Sequence, residues 1–121
     1  MKTLEQHWFV AEVVERAAHN DKNENSPKRR LLTWVDTLIV RAESISEAYD
    51  KTLKIAKKNY TTKYKAVEGN NVQWMVLGLS SLKQIDGGLK DGSEIFWADK
   101  GYISVNKSNS MVKSKKQLIS D

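Results

Sequence analysis

Glycines and carboxylates meet in one stretch of this sequence, and such residues can hold a phosphate or a metal ion. The stretch contains Asp86, Gly87, Gly88, Asp91, Gly92 and Glu94. A phosphate-binding glycine loop leads into a helix, whereas the residues after Gly92, "EIFW", have the pattern of a strand. A calcium loop places oxygen ligands at alternate positions of a 12-residue frame, and these carboxylates lack that spacing. The stretch therefore predicts chain reversal by turns.

Other candidate catalytic residues are scattered. His7 and His19 form no helical pair with another metal-ligating residue type. Glu12 and Glu15 are expected on opposite faces of one strand, which disfavours a pair of carboxylates acting together. The chain has no G-x-S-x-G element. We therefore predict a non-enzyme without catalytic residues, metal or cofactor.

Lysines are the most concentrated charged group. The net charge is +5, and residues 50–65 hold six lysines and one acidic residue. Three of these lysines recur at helical spacing and share a face, which is explained either as a solvated helix surface or as a positive patch for an acidic protein or a nucleic acid. The candidate partner-binding residues are Lys51, Lys54, Lys58, Lys63 and Lys65.

Hydrophobic patterning predicts two long strands near the start of the chain. Residues 6–18 are rich in aromatic and β-branched residues, and residues 29–43 alternate in polarity. The polar stretch between them, residues 19–30, predicts a loop. In the second strand, the alternate set expected to face the core is Leu32, Trp34, Asp36, Leu38 and Val40.

A change of period predicts one helix over residues 44–58. Ser44 and Glu47 have the spacing of a capping box. The expected apolar stripe is Ile45, Ala48, Tyr49, Leu53 and Ala56, with Tyr49 and Leu53 packed on the sheet. Further strands are predicted at residues 60–67, 72–79 and 94–99, the second of them central because both its faces are apolar. The predicted class is α+β: a curved, mainly antiparallel sheet of about five strands with one helix packed on one face.

The bulk properties predict one domain. The chain has 121 residues, 40% of them hydrophobic and 29% charged, and it contains no cysteine. We predict a single domain over residues 1–105 and a flexible basic tail over residues 106–121. Acidic residues interrupt the N-terminal apolar run, and no apolar stretch approaches the roughly 18 residues of a membrane helix. A cytoplasmic protein without membrane contact is expected.

Several segments together resemble a known family. The quoted stretches are "HWFVAEVV", "LIVRAESISEAYDKTLKIA", "VQWMVLGLSSLKQI" and "LKDGSEIFW". Across roughly residues 7–98, the chain resembles the small bacterial proteins grouped as domain of unknown function 4288. The resemblance implies a compact α+β domain of strands around one helix, and it brings no established activity and no catalytic residues. The loop at residues 19–30 and the tail beyond Lys100 depart from the family's usual outline.

Three function classes follow. The first is a protein-binding domain, an immunity protein that neutralises a cognate toxin by direct binding, for which a toxin domain is the expected partner. The second is a nucleic-acid-binding protein that uses the lysine-rich helix face. The third is an enzyme of unrecognised type.

Overall fold

The computed structural model describes residues 5–19, 26–60, 63–65 and 71–120. The elements, in chain order, are strands β1 (His7–His19) and β2 (Thr33–Ala42), helix α1 (Ile45–Tyr60), strands β3 (Lys63–Lys65) and β4 (Asn71–Gln84), and helices α2 (Val105–Ser110) and α3 (Lys115–Ile119). The predicted α+β class is confirmed. The predicted loop at residues 19–30 and the predicted strand and turn at residues 60–71 lie partly outside the described residues.

The described strands form one antiparallel sheet in the order β2-β1-β4-β3. This sheet has four strands, so the prediction of about five is wrong, because residues 94–99 do not pair as a strand. That segment instead contacts the side chain of Lys83, whose Nζ lies 5.0 Å from the Phe96 ring centroid and 3.6 Å from that of Trp97. A cation over aromatic rings thus holds these residues without strand pairing. The predicted central position of residues 72–79 is confirmed, since β4 is an inner strand.

The pairing of β1 with β4 contains two bulges. Between the pairs Glu12–Ser81 and Val13–Leu79, β4 has one extra residue, and it has another between the pairs Val14–Gly78 and Glu15–Val76. At each bulge, the odd-numbered and even-numbered side chains of β4 exchange the faces of the sheet to which they point. Apolar residues of both parities therefore reach the same face of the sheet, which explains why this strand looks apolar on both faces in the sequence.

Helix α1 begins with the predicted cap and lies on one face of the sheet. Glu47 N–H donates to Ser44 Oγ at 3.1 Å, and Glu43 N–H donates to the Glu47 carboxylate at 3.3 Å. The buried stripe consists of Ala48, Thr52 and Ala56 at intervals of four residues. Small side chains at this spacing let the helix backbone approach the strands closely.

The predicted helix stripe is therefore partly wrong. Ile45 and Tyr49 are 57% and 45% exposed, and Leu53 is only partly buried. Ile55, which the pattern did not include, packs against the core. The centre of the contact lies nearer Thr52 than Tyr49, because Thr52 is fully buried and donates its hydroxyl to the Ala48 carbonyl oxygen at 2.7 Å. A threonine bonded back into its own helix is compatible with an apolar contact.

The main core cluster lies under the first half of α1. Its members are Phe9, Val40, Ala42 and Ala48, with Leu38, Ile55 and Leu82 packed against them. Phe9 is opposite Val40 in the β1–β2 register, so the two side chains project from the same face of the sheet. The strand alternation predicted for Leu38 and Val40 is confirmed.

Residues after β4 form turns and then two short helices. Serines cap both helices: Lys107 N–H donates to Ser104 Oγ, and Gln117 N–H donates to Ser114 Oγ. In residues 98–120 every side chain is exposed, and α2 and α3 contact no other described element. The flexibility predicted for residues 106–121 stays a prediction. In the described part of the chain, no helix has the length and apolar character needed to cross a membrane.

Candidate functional site

Two carboxyl groups meet on the helix-bearing face of the sheet. Glu15 on β1 and Asp36 on β2 are diagonal neighbours, because Glu15 pairs with Trp34 and Asp36 pairs with Val13. Glu15 is only 5% exposed, whereas Asp36 is partly exposed. The Asp36 side chain is close enough to affect the pKa of Glu15, and a hydrogen bond between the two side chains requires that one of the carboxyl groups carries a proton. Glu12 and Glu15 lie on opposite faces, as predicted, and the carboxylate partner of Glu15 comes from the neighbouring strand.

Burial and the second carboxyl change the acidity of this pair. Desolvation, followed by the hydrogen bond and the charge of Asp36, raises the pKa of Glu15 from 4.5 to about 7. Glu15 Oε2 and Asp36 Oδ2 are buried and have no hydrogen-bond partner among the described residues. Each residue therefore offers one acceptor atom that the described chain leaves unsatisfied. The pair can take up a proton near neutral pH or accept hydrogen bonds from a bound cation.

Aromatic residues border the pair. The rings of Trp34 and Trp74 are 5.0 Å apart between centroids and are tilted by 45°. Trp34 pairs with Glu15 and Trp74 pairs with Ala17, so the indoles meet across β1, above an alanine small enough to leave room for them. Tyr60, the last residue of α1, faces the same group: burial first, then the charges of Asp36 and Glu15, raises its pKa.

A family model supports the resemblance seen in the sequence. The model for DUF4288, a domain of unknown function, matches residues 8–97. The chain belongs to this family. Comparisons with curated proteins and with solved structures returned no match. The carboxyl pair and its tryptophans lie inside the matched region of this DUF4288 domain, whereas α2 and α3 lie outside it.

The second surface of interest in this DUF4288 domain is the sheet face opposite α1, here called the open face. Val35, Ile39 and Met75 are 52%, 42% and 37% exposed. Val35 pairs with Val14, Ile39 with Val10, and Met75 with Arg16, which places them on the face opposite Glu15. The exposed apolar side chains thus lie on the two strands that flank β1, and exposed apolar groups gathered on one face are typical of interaction surfaces.

Positive groups border the open face. By strand alternation, Arg16, Arg41 and Lys83 project from it together with the acidic Glu12. The Lys83 ammonium lies against the Phe96 and Trp97 rings, so these residues cover the face at that point. Arg41 lies over the Trp8 ring, with its guanidinium carbon 5.6 Å from the ring centroid. Arg16 Nε is buried and has no hydrogen-bond partner in the described part of the chain. The open face thus combines an apolar centre with a margin that favours an acidic partner.

The predicted lysine set is divided between helix α1 and the edge strand β3. Lys51, Lys54 and Lys58 are exposed on α1. Lys51 Nζ donates to the Arg41 carbonyl oxygen at 2.7 Å, which places it at the edge strand β2. Lys63 and Lys65 belong to β3, the strand at the opposite edge, and their side chains lie outside the described residues. Lys51 therefore lies beside β2, whereas Lys54 and Lys58 are placed only on the exposed surface of α1.

The glycine-rich connector forms turns, as its sequence predicts. Gly87, Gly88 and Gly92 all have φ values between 75° and 86°, a region that glycine occupies without strain. Ser93 holds the loop together by accepting from Lys90 N–H and donating to the Gly88 carbonyl oxygen, each at 3.0 Å. In the described residues, no group of three or more His, Asp or Glu side chains has the arrangement of a metal site.

Sequence reasoning missed the Glu15–Asp36 pair. The signal that was available is the polarity of Asp36 within an otherwise apolar alternate set, together with Glu15 in an apolar strand. Asp36 belongs to the alternate set predicted to face the core, whereas no burial was predicted for Glu15. A carboxyl group in a core-facing position requires a partner, and this requirement could have pointed to Glu15. Their proximity depends on the β1–β2 register, which the alternation alone does not fix.

Proposed function

We propose that this DUF4288 domain is a non-catalytic protein-binding domain that neutralises a toxin by binding it directly. The observation that supports the proposal is the open face, from which Val35 and Ile39 on β2 and Met75 on β4 project as exposed apolar side chains on either side of β1. Burying apolar groups supplies most of the affinity of such contacts. Charged groups at the margin increase the association rate and select the partner. The proposed partner carries an apolar centre and an acidic rim.

The basic residues near β2 extend this surface. Arg41 borders the open face, and its carbonyl oxygen accepts a hydrogen bond from Lys51 on α1. Lys54 and Lys58 continue the positive charge along the exposed side of the helix. A toxin segment that wraps the β2 edge would contact both the apolar centre and these lysines.

The first experiment tests the open face. Tagged protein is used to recover partners from the native host, and the recovered toxin candidate is expressed with and without the domain. We expect a single stoichiometric partner, growth arrest when it is expressed alone, and relief by the wild-type domain. Val35→Glu and Ile39→Glu should lose binding and relief, because a carboxylate in the apolar centre is desolvated and faces an acidic rim.

The matched control is Ile45→Glu, since Ile45 is also about half exposed but lies on α1. Circular dichroism and urea melts establish that all three variants fold. Equal binding by wild type, Val35→Glu and Ile39→Glu would refute the proposed surface. A micromolar affinity for mixed RNA at about 150 mM salt, abolished by Lys54→Glu and Lys58→Glu, would instead support a nucleic-acid-binding protein, because such binding depends on phosphate contacts.

A further inference from the structure

The carboxyl pair lies on the sheet face opposite the proposed protein-binding surface, and nothing in that proposal uses it. Glu15 is 5% exposed, and its Oε2 has no hydrogen-bond partner among the described residues. Leaving a buried acceptor unpaired costs stability, so a native site of this kind calls for an explanation. Asp36 is partly exposed and Trp34 is half exposed, so solvent reaches the edge of the pair. Glu15 Oε2 and Asp36 Oδ2 are themselves buried, and a ligand reaches them when the neighbouring side chains move aside.

The surroundings favour a positive ligand. The titratable groups that face Glu15 from the described side chains are Asp36 on β2 and Tyr60 on α1, and both are acidic. From β4, the nearest paired residue is Val76, which is uncharged. The last turn of α1 lies close to the pair, since the charges of both carboxyl groups help to raise the pKa of Tyr60. Carbonyl groups at a helix C-terminus carry partial negative charge and add to the attraction for a cation.

The arrangement of the acceptors selects the type of cation. Glu15 Oε2 and Asp36 Oδ2 are two separate unsatisfied acceptors on adjoining strands. A guanidinium group has several N–H donors in one plane, can reach two acceptors at once, and stacks on an indole ring. An ammonium is a strongly hydrated point charge, and Ca²⁺ requires six to eight oxygen ligands. The guanidinium group therefore fits two acceptors beside an exposed tryptophan best.

We propose that Glu15, Asp36 and Trp34 form a binding site for a guanidinium group. The two carboxylates accept its N–H groups and the Trp34 ring covers its plane. The guanidinium group displaces the proton that the carboxyl pair shares, so binding releases a proton near neutral pH. An arginine side chain in a protein segment and a free guanidinium compound share this chemistry, and the experiment distinguishes these two sources.

The test is a titration with methylguanidinium, followed by tryptophan fluorescence and by proton release at constant pH. We expect saturable binding that is tighter at pH 8 than at pH 6, with a proton released near pH 7. Glu15→Gln and Asp36→Asn should each weaken binding about tenfold or more, because each removes one charged acceptor. Glu12→Gln, on the opposite face of β1, should bind like wild type, and thermal melts confirm that every variant folds.

Further titrations identify the ligand class. Acetyl-Gly-Arg-Gly-amide binding more tightly than free arginine would assign the site to a protein segment, because the peptide supplies flanking backbone groups that free arginine lacks. The reverse order would assign it to a small guanidinium compound. Non-saturable binding, unchanged affinity in both carboxyl variants, or tighter binding of methylammonium or Ca²⁺ than of methylguanidinium would overturn the proposal.

Discussion

At the start of α1, the helix meets the sheet through apolar side chains, and Phe9, Val40 and Ala48 are almost completely buried there. At the end of α1, the same face of the sheet instead holds Glu15 and Asp36, two carboxyl groups with unsatisfied oxygen atoms. One helix thus covers two environments that differ in polarity. The first stabilises the fold by removing apolar surface from water, whereas the second reduces its stability by keeping acidic groups out of water.

The difference indicates how this small domain divides its tasks. A β1 strand that continued as apolar beyond Val13 would pack more favourably, yet Glu15 occupies a core position on the same face. Departures from local packing rules concentrate at functional or strained sites. The start of α1 therefore holds the domain together, and the end of α1 is the region in which we place ligand chemistry.

The largest change in the free energy of unfolding is expected for a substitution of Phe9. Phe9→Ala should lower the free energy of unfolding by about 3 to 5 kcal/mol, because it removes the largest side chain of the core cluster and leaves a cavity. Urea melts measure this loss. Ile45→Ala serves as the control, since Ile45 is 57% exposed in the first turn of the same helix, and it should change stability by less than about 1 kcal/mol. Equal effects of the two substitutions would contradict the assignment of Phe9 to the core beneath the start of α1.

A smaller effect, with a distinct dependence on pH, is expected at Glu15. Its pKa of about 7 in the folded chain lies above the ordinary 4.5, so the folded chain binds more protons than the unfolded chain between these values. The stability that Glu15 contributes by binding its proton more tightly in the folded chain is fully present below about pH 4.5. It is lost as the pH rises through about 7. The difference between the two values corresponds to at most about 3 to 4 kcal/mol, since each pKa unit is worth about 1.4 kcal/mol.

Glu15→Gln removes this dependence. The variant should match wild type near pH 4 and exceed it in stability at pH 8, as measured by urea melts across that range. Glu12→Gln provides the reference, because Glu12 lies on the opposite face of the same strand. Parallel pH profiles for wild type and Glu15→Gln would mean that Glu15 titrates normally and that the two ends of the interface differ less than we infer.

The sequence was most informative where local rules and tertiary contacts agree. Ser44 and Glu47 fixed the start of α1, and alternation placed Leu38 and Val40 on the helix-bearing face. The buried residues of α1 differ from the predicted stripe, because hydropathy favours Tyr49 whereas close packing on a sheet favours Ala48 and Thr52. Helix periodicity gives the spacing of a stripe, and the depth of contact decides which of its members are buried.

Long-range pairing accounts for the features that the sequence did not predict. Two bulges in β4 set which of its residues face α1, and no local pattern marks the positions of such extra residues. Residues 94–99 have a composition that suits a strand, yet Phe96 and Trp97 contact Lys83 and no strand partner is available to them in the described sheet. The Glu15–Asp36 pair likewise exists only through the β1–β2 register.

The smallest effect on stability is expected from deleting residues 107–121. The deletion tests whether the contact between α1 and the sheet forms without help from the tail. The caps of α2 and α3 are local, α2 and α3 contact no other described element, and the described tail side chains are exposed. Deletion should therefore change the melting temperature by less than about 3 °C, since exposed residues contribute little to stability. Differential scanning calorimetry of the full chain and the truncated chain measures it, with Phe9→Ala in both backgrounds as an internal standard. A decrease in melting temperature comparable to that of Phe9→Ala would show that the tail docks on the domain. The stability contributed by each end of α1 would then include contacts with the tail.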